Sequence, residues 1–459
     1  MGLLGLRFTA SSLLFLTLTG VAAETNVSTI DKIKQPVDWF SWGLDLRFRN
    51  EYYDNARSLN SDAPFHEQEY LRHRGRLWTT FTPVPDASLN VRLTSEPRTW
   101  INRNSSGVRG MDWNCGLFDT LNVQWRNVLG QPATLTVGRQ DIRLGDGWLV
   151  MEGTPGDGSA TLYLDAARLT WELKEQHTTV DVIGICQSAR DDNWLPTINN
   201  PDRCLTEQNE RGAVLNVENK SIAAANLCGY FIYKHDERVT STGDNGDIYT
   251  LGARVSGLPL EHWQYSVECA WQFGEKQDLN IKYPAVSTEY RDHSAVGINS
   301  RFTYLVKDRF NQQVYFCYEY LSGDDPATEA DESFDVLWGR WARWSDLVNI
   351  YESSTETRVG QLSNLHRFGP GWAITPAKGL DFSSNYYLLF GDQNRPTRTA
   401  SPALFGGGDF RGHFLQSVLK YKYNQHLSGH LCGEFLFPGD YFANHELMTF
   451  LRAEVLLTF

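Results

Sequence analysis

A chain of 459 residues with a formal charge of −13 and a mean hydropathy of −0.40 is long enough for two or three soluble domains, or for one large barrel. The acidic balance argues against a nucleic-acid partner, and the hydropathy argues against a bundle of membrane helices. Neither argues against a membrane β-barrel, whose strands alternate apolar and polar residues and so average out.

The first residues read as a targeting segment. Arg7 is the only charge before Glu24, residues 13–21 are apolar, and Val21-Ala22-Ala23 offers small residues for cleavage. This is the pattern of a secretory signal peptide over residues 1–23, too short for a spanning helix. The chain then divides into that leader and a single barrel over residues 24–459, because no linker or shift of composition marks a second domain.

From residue 41 the period is two. Over residues 41–53, Trp42, Leu44, Leu46 and Phe48 share one face while Asp45, Arg47, Arg49 and Glu51 share the other. An amphipathic helix would space its apolar residues by three and four, so the period predicts a strand. Residues 68–81 follow, with Arg72, Arg74 and Arg76 on one face. A turn at Pro83-Val84-Pro85-Asp86 leads into Leu89, Val91 and Leu93, which alternate with Asn90, Arg92 and Thr94.

Residues 134–173 form two runs rich in Leu, Val, Thr, Tyr and Trp around a tip crowded with Gly and Asp, a β-hairpin with a long loop. Further runs cover 177–187, a weak stretch near 211–217, then 222–233, 249–255, 263–273, 295–305 and 313–321. After a long irregular stretch at 322–362 come 365–375, 380–390, 413–423, 430–437 and 446–459. Short links fall at 219–220, 258–261, 376–379 and 424–425, and long ones at 55–67, 188–210 and 392–411. The count comes to about eighteen strands, each near the ~10 residues that a tilted membrane strand needs. Short turns at one end and long loops at the other are how outer-membrane barrels are built. The expected fold is therefore all-β: one transmembrane antiparallel barrel with short periplasmic turns and long extracellular loops. Phe459, preceded by Leu457, Val455, Ala453 and Leu451, ends a strand that would close against the first one.

In such a barrel the apolar face meets lipid, where a charge costs ~2–4 kcal/mol at mid-depth, so the opposite face lines the lumen. Alternation places Arg47, Arg49, Arg72, Arg74, Arg76, Arg92 and Arg98 there, joined by Arg254, Arg301 and Arg452. Asp45, Glu51, Glu96, Glu268, Glu319, Glu434 and Glu454 share that side. Two readings compete. One is an ion-pair lattice that stiffens the wall. The other is an electropositive conduit for an anionic solute, supported by Arg72, Arg74 and Arg76 on one face of one strand.

Enzyme signatures are absent: there is no G-x-S-x-G, H-E-x-x-H or P-loop. The expectation is a non-enzyme without a cofactor or a metal centre. Acidic stretches such as Gly243-Asp244-Asn245-Gly246-Asp247 could take a hard cation like calcium, but they lack EF-hand spacing and read as solvated loops. The 7 cysteines show no zinc spacing, although Cys186 and Cys204 flank a polar loop and could pair in an oxidising compartment. Trp and Tyr near strand ends suit an interfacial girdle.

Gly138-Arg139-Gln140, then Gly145-Asp146-Gly147, then Asp165-Ala166-Ala167-Arg168-Leu169 appear in an order that resembles the alginate-export porin family of Gram-negative outer membranes. Tyr249-Thr250-Leu251-Gly252-Ala253-Arg254, Glu319-Tyr320-Leu321-Ser322-Gly323-Asp324-Asp325 and Phe437-Pro438-Gly439-Asp440-Tyr441 extend the likeness along almost all of the mature chain. The resemblance implies an eighteen-stranded barrel with an arginine-lined constriction, loops that gate it, and passive export of an anionic uronate polysaccharide. Calcium and a plug formed by a periplasmic turn occur in family members, and the resemblance assigns neither to particular residues of this sequence. Strict alternation from Leu135 and Val137 puts Arg139 on the lipid side, so either a bulge intervenes or Arg139 lies above the membrane.

The expected function is an outer-membrane channel for passive diffusion or export of an anionic solute, an alginate-like or other anionic polysaccharide or oligosaccharide. The arginines expected to line its pore are Arg47, Arg49, Arg72, Arg74, Arg76, Arg92, Arg254 and Arg301. The expected partners are outer-membrane lipid and the solute, with no nucleic acid and with periplasmic secretion partners unidentified. The alternatives are a porin of other selectivity, an outer-membrane enzyme, or an adhesin with its specificity in residues 188–210 and 322–362.

Overall fold

The computed structural model describes residues 32–104, 107, 109–112, 116–152, 162–190, 194–199, 204–241, 243–277, 289–325, 327–355, 362–394 and 405–459. The leader over residues 1–23 and its cleavage site lie outside the described residues.

Eighteen antiparallel strands close into one barrel. In chain order they are β1 (Phe40–Asp54), β2 (Glu67–Val84), β3 (Ala87–Ser95 and Arg98–Trp100), β4 (Gly110–Asp112 and Gly116–Trp125), β5 (Ala133–Gln140) and β6 (Leu164–Leu173). Then come β7 (Thr178–Gln187), β8 (Gln208–Ile222), β9 (Ala225–Arg238), β10 (Asn245–Leu260), β11 (Trp263–Gln277) and β12 (Tyr290–Leu305). The last six are β13 (Gln313–Leu321), β14 (Leu365–Ala377), β15 (Leu380–Phe390), β16 (Phe410–Lys422), β17 (Leu427–Pro438) and β18 (Met448–Thr458). Each strand pairs with its sequence neighbour, and β1 pairs with β18 from Asp45 opposite Thr458 to Asp54 opposite Thr449. Closure removes both sheet edges, which would otherwise present unpaired backbone groups.

The side-chain pattern is that of a membrane barrel turned outward. Phe48, Val182, Leu251, Trp271, Phe302 and Val455 are exposed on the outer face, while Arg47, Arg49, Lys234 and Glu434 are at most 1% exposed. Trp125, Trp171, Trp263, Trp372 and Tyr421 lie exposed near the short-turn ends of their strands, as headgroup-level anchors do. The carboxy-terminal Phe459 is held at that end as well: its N–H donates to the carbonyl of Leu44 at 2.8 Å, its ring lies 5.6 Å from Trp42, and Lys34 Nζ sits 5.5 Å above it.

Two expectations about the strands are corrected. The run Gly116–Trp125 is a full wall strand that alternation did not announce. Its pairing with β3 shifts register between Arg92 and Leu93, so Gly116 and Leu117 are both buried and the period of two is broken there. The turn expected at residues 219–220 lies at residues 223–224, because β8 continues to Ile222 after a register shift beyond Asn219. Cys186 and Cys204 are both free thiols; Cys186 is exposed on the outer side of β7.

Candidate functional site

The arginines of the first strands form a charged wall. Arg47 stands directly opposite Arg74, and Arg49 opposite Arg72, across the β1–β2 ladder. Like charges in register repel, and carboxylates from neighbouring strands separate them. Arg47 pairs with Glu96 at 3.0 Å, Arg49 with Glu51 at 3.2 Å and with Glu454 at 2.5 Å, and Arg72 with Glu51 at 3.5 Å and with Glu96. Arg76 engages Asp45, which also lies 3.7 Å from Arg74. Arg92 pairs with Asp119 at 2.7 Å and Asp141 at 2.9 Å. Glu51 is the hub: it also accepts hydrogen bonds from Tyr70 at 2.5 Å and Arg452 at 2.9 Å.

Two long loops fold into the lumen and meet. The β5–β6 loop sends Asp146 to Arg254 on β10 at 3.2 Å and to Ser266 on β11 at 2.8 Å, five and six strands away around the wall. Two residues on, Trp148 donates to Glu319 of β13 at 3.2 Å and stacks on Phe334 at 5.5 Å. The β13–β14 loop crosses in both directions. Toward β8, Trp338 Nε1 donates to Glu210 at 3.0 Å, and Arg340 engages the same carboxylate. Toward β17, the loop forms a helix, α1 (Asp346–Thr355), whose first turn is held by the wall. Glu434 accepts from Ser345 Oγ at 2.7 Å, from the Asp346 N–H at 3.2 Å and from the Leu347 N–H at 2.8 Å. The loops are joined by a bridge between Val150 and Trp338. An apolar core thus fills the middle of the barrel, built from Trp148, Leu149, Phe334, Leu337, Trp338, Leu347, Val348 and Tyr351.

Beside this septum lies a cavity of about 810 Å3. Its wall runs from Arg254, Glu319 and Arg367 at mid-barrel to Ser256, Thr303, Ser383 and Lys420 near the short-turn end. Of the eight arginines expected at the pore, Arg254 and Arg301 line this cavity. Arg47, Arg49, Arg72, Arg74, Arg76 and Arg92 lie in the ion-paired wall described above and are not among its lining residues. Basic residues that alternation passed over join instead: Arg343 and Arg367, together with Lys420, whose inward parity with Gln416 and Val418 was visible in the sequence.

The four cavity carboxylates all have internal partners. Asp146 is held by Arg254 and Ser266, Glu319 by Arg367 at 3.1 Å with Trp148 and Trp344, Asp346 by Arg452 at 2.8 Å, and Glu434 by α1 and Gln416. Two cations differ. Arg301 sits over the Tyr315 ring, its guanidinium carbon 3.7 Å from the ring centre, and donates to the Thr303 hydroxyl at 3.3 Å. Among the described residues neither Arg301 nor Lys420 is paired with a carboxylate.

The motif residues have structural explanations. Gly138 adopts φ +119, and a Cβ there would lie 2.4 Å from the Leu121 carbonyl oxygen. Gln140 spans the kink, donating through Nε2 to the carbonyls of Gly138 at 3.1 Å and Ala166 at 3.0 Å. The β5 register is continuous on both sides, so no bulge turns Arg139 inward. Arg139 stays on the outer face, paired with Asp165 at 3.1 Å and covered by the rings of Tyr163 at 3.7 Å and Trp194 at 5.2 Å, which come from the extracellular loops. The second motif, Gly145-Asp146-Gly147, is the tip that crosses the lumen.

Among the described residues one group of carboxylates meets the geometric requirement for a cation: Asp236, Asp244 and Asp335, with ligand atoms within 4.8 Å of one another. Lys234 lies 3.0 Å from Asp236, and Lys276 lies 3.1 Å from Asp335 and 3.6 Å from Asp244. Two ammonium groups thus share these three carboxylates in a buried ion-pair network that docks the β13–β14 loop through Asp335.

A closed barrel with an apolar outer belt, a polar lumen and inward loops is an outer-membrane channel of the porin type. The model of the Alginate export family matches residues 38–454, and the chain belongs to that family, whose place is the Gram-negative outer membrane. Among solved structures the barrel is similar to Acinetobacter baumannii OccAB1, with a TM-score of 0.58 at 10% identity over 92% of this chain and 96% of that one. It is also similar to Pseudomonas aeruginosa OccK8 (OprE), with a TM-score of 0.55 at 12% identity over 92% and 98%. A third is Pseudomonas aeruginosa OccK2 (OpdF) in complex with glucuronate, with a TM-score of 0.53 at 11% identity over 91% and 97%. At these identities the likeness is one of fold. No curated protein matches the chain.

Proposed function

We propose that this channel passes anionic solutes, carboxylated sugars or short stretches of an anionic polysaccharide, by passive diffusion. The observation that carries the reading is the charge balance of the cavity. Three of its four carboxylates, Asp146, Glu319 and Asp346, are paired with arginines, and Glu434 is taken up by hydrogen bonds from α1 and Gln416, while among the described residues Arg301 and Lys420 line the lumen without a carboxylate partner. Fixed positive charge in a narrow, low-dielectric passage raises the local concentration of anions and lowers the barrier to their passage. A guanidinium resting on an aromatic ring keeps its N–H edge free for a carboxylate. The cavity of about 810 Å3 falls within the ~300–1,000 Å3 typical of small-molecule sites. Glucuronate, the sugar acid in the OccK2 complex, is the natural probe. The reading includes a leader at residues 1–23 that is removed on export, and a barrel that works without chemistry or a cofactor of its own. Planar-bilayer recording under a salt gradient tests it. A reversal potential toward chloride is expected, and equal passage of potassium and chloride would refute it.

A further inference from the structure

Asp146 is not a wall residue, yet it occupies a wall site. It sits at the tip of a loop that leaves β5 and reaches β10 and β11 across the lumen. There one carboxylate oxygen takes a hydrogen bond from Arg254 Nη1 at 3.2 Å and the other from Ser266 Oγ at 2.8 Å. Arg254 is held in place from its far side by Glu218, 3.3 Å from Nη2. The tip is shaped for this approach. Gly145, at φ +54, brings its backbone close enough to Arg254 that a Cβ would lie 3.1 Å from Nε, and Gly147, at φ +77, packs on Met151. The Gly147 N–H closes a turn on the Leu144 carbonyl at 2.8 Å, and Arg143 donates to the Asp146 carbonyl at 3.1 Å. The Asp146 side chain is 51% exposed and lines the cavity together with Ser266 and the more deeply set Arg254, so a solute can reach it there.

We propose that Arg254 and Ser266 form a carboxylate-binding site of the channel wall, and that Asp146 is a tethered carboxylate that occupies it in the absence of solute. The inference rests on the anion-passing reading and deepens it: the preferred solute group is a carboxylate, because the site already accommodates the two oxygens of one. A travelling carboxylate takes the place of Asp146, which swings aside with its glycine-flanked tip, and Asp146 re-occupies the site when the solute moves on. Asp146 thereby sets how long a carboxylate dwells and keeps Arg254 from trapping its cargo.

The test is block of single-channel current by glucuronate, with the reversal potential measured in the same bilayers, for the full-length protein and its variants. Asp146→Asn and Asp146→Ala remove the competing charge, and each is expected to lower the glucuronate concentration for half-block by about tenfold. Adding Ser266→Ala to Asp146→Ala is expected to raise it again. If the variants remain anion-selective but block at the wild-type concentration, the tethered-carboxylate proposal is overturned and the anion-channel reading stands. If wild type and variants alike favour cations, both are overturned.

Discussion

Arg47 and Arg74 face each other across β1 and β2, and the two are held differently. Arg47 is anchored by Glu96 at 3.0 Å, whereas Arg74 has a looser contact, 3.7 Å from an Asp45 carboxylate that Arg76 already engages. The wall therefore combines a tight ion-pair lattice with a surplus of positive charge. Within it Glu51 carries the most, since Arg49, Arg72, Arg452 and Tyr70 converge on it. Breaking a buried pair leaves an uncompensated charge and costs about 3–5 kcal/mol. Glu51→Gln is expected to lower barrel stability by that order, read as the urea midpoint in micelles. A shift no larger than that of a surface substitution would show that the lattice is not structural.

Selectivity should follow the cavity rather than the lattice. The double substitution Arg301→Glu, Lys420→Glu is expected to reverse the preference for chloride, because both residues face the cavity. Arg74→Glu, beside the already shared Asp45 carboxylate, is expected to weaken selectivity less. Reversal potentials under one salt gradient compare them, and a larger effect from Arg74 would move the functional passage to the β1–β2 wall.

The seating of α1 depends on a wall carboxylate and a cap. Ser345 Oγ accepts from the Val348 N–H at 2.9 Å while donating to Glu434, so helix and wall share one N-terminal cap. Loss of such a cap costs about 0.5–2 kcal/mol. Glu434→Ala is expected to loosen the β13–β14 loop and speed trypsin cleavage after Arg340 and Arg343, with noisier open-channel current. Cleavage at the wild-type rate would mean that the Trp338 contacts alone hold the loop.

Acid should release the outer anchor of the same loop. Asp392, just past the end of β15, accepts from the Gly323 N–H at 2.9 Å and lies 3.2 Å from His366 Nε2. Burial by itself would raise its carboxyl, but the His366 ring and the Gly323 N–H outweigh burial and hold it below the ordinary carboxylate value. A carboxyl depressed in the folded state contributes stability above its unfolded value of ~3.9, and that contribution is lost as pH falls through the folded one. The difference in urea midpoint between wild type and Asp392→Asn is therefore expected to persist from pH 7 to about 5 and to vanish in stronger acid. A difference that grows on acidification would contradict this.

The period of two, carried from Trp42 and Arg47 to Val455 and Phe459, determined the class of fold, the inward face and nearly all of the strands, because a barrel strand has only two faces and lipid rejects charge on one of them. Where a register shift broke the period, at Gly116–Trp125 and at the end of β8, that reasoning lost the strand or its turn. Alternation also placed the arginines of the β1, β2 and β3 wall on the lumen side, but facing the lumen is not the same as lining the cavity. That distinction depends on what else fills the interior, and here two loops without periodicity do so, carrying Asp146 to Ser266, Trp338 to Glu210 and Leu347 to Glu434 on separate parts of the wall. Their positions follow from long-range pairing of buried charges and tryptophans across the barrel, which no local pattern encodes. For that reason only the tertiary structure shows that Arg301 and Lys420 line the cavity while Arg72 and Arg74 do not.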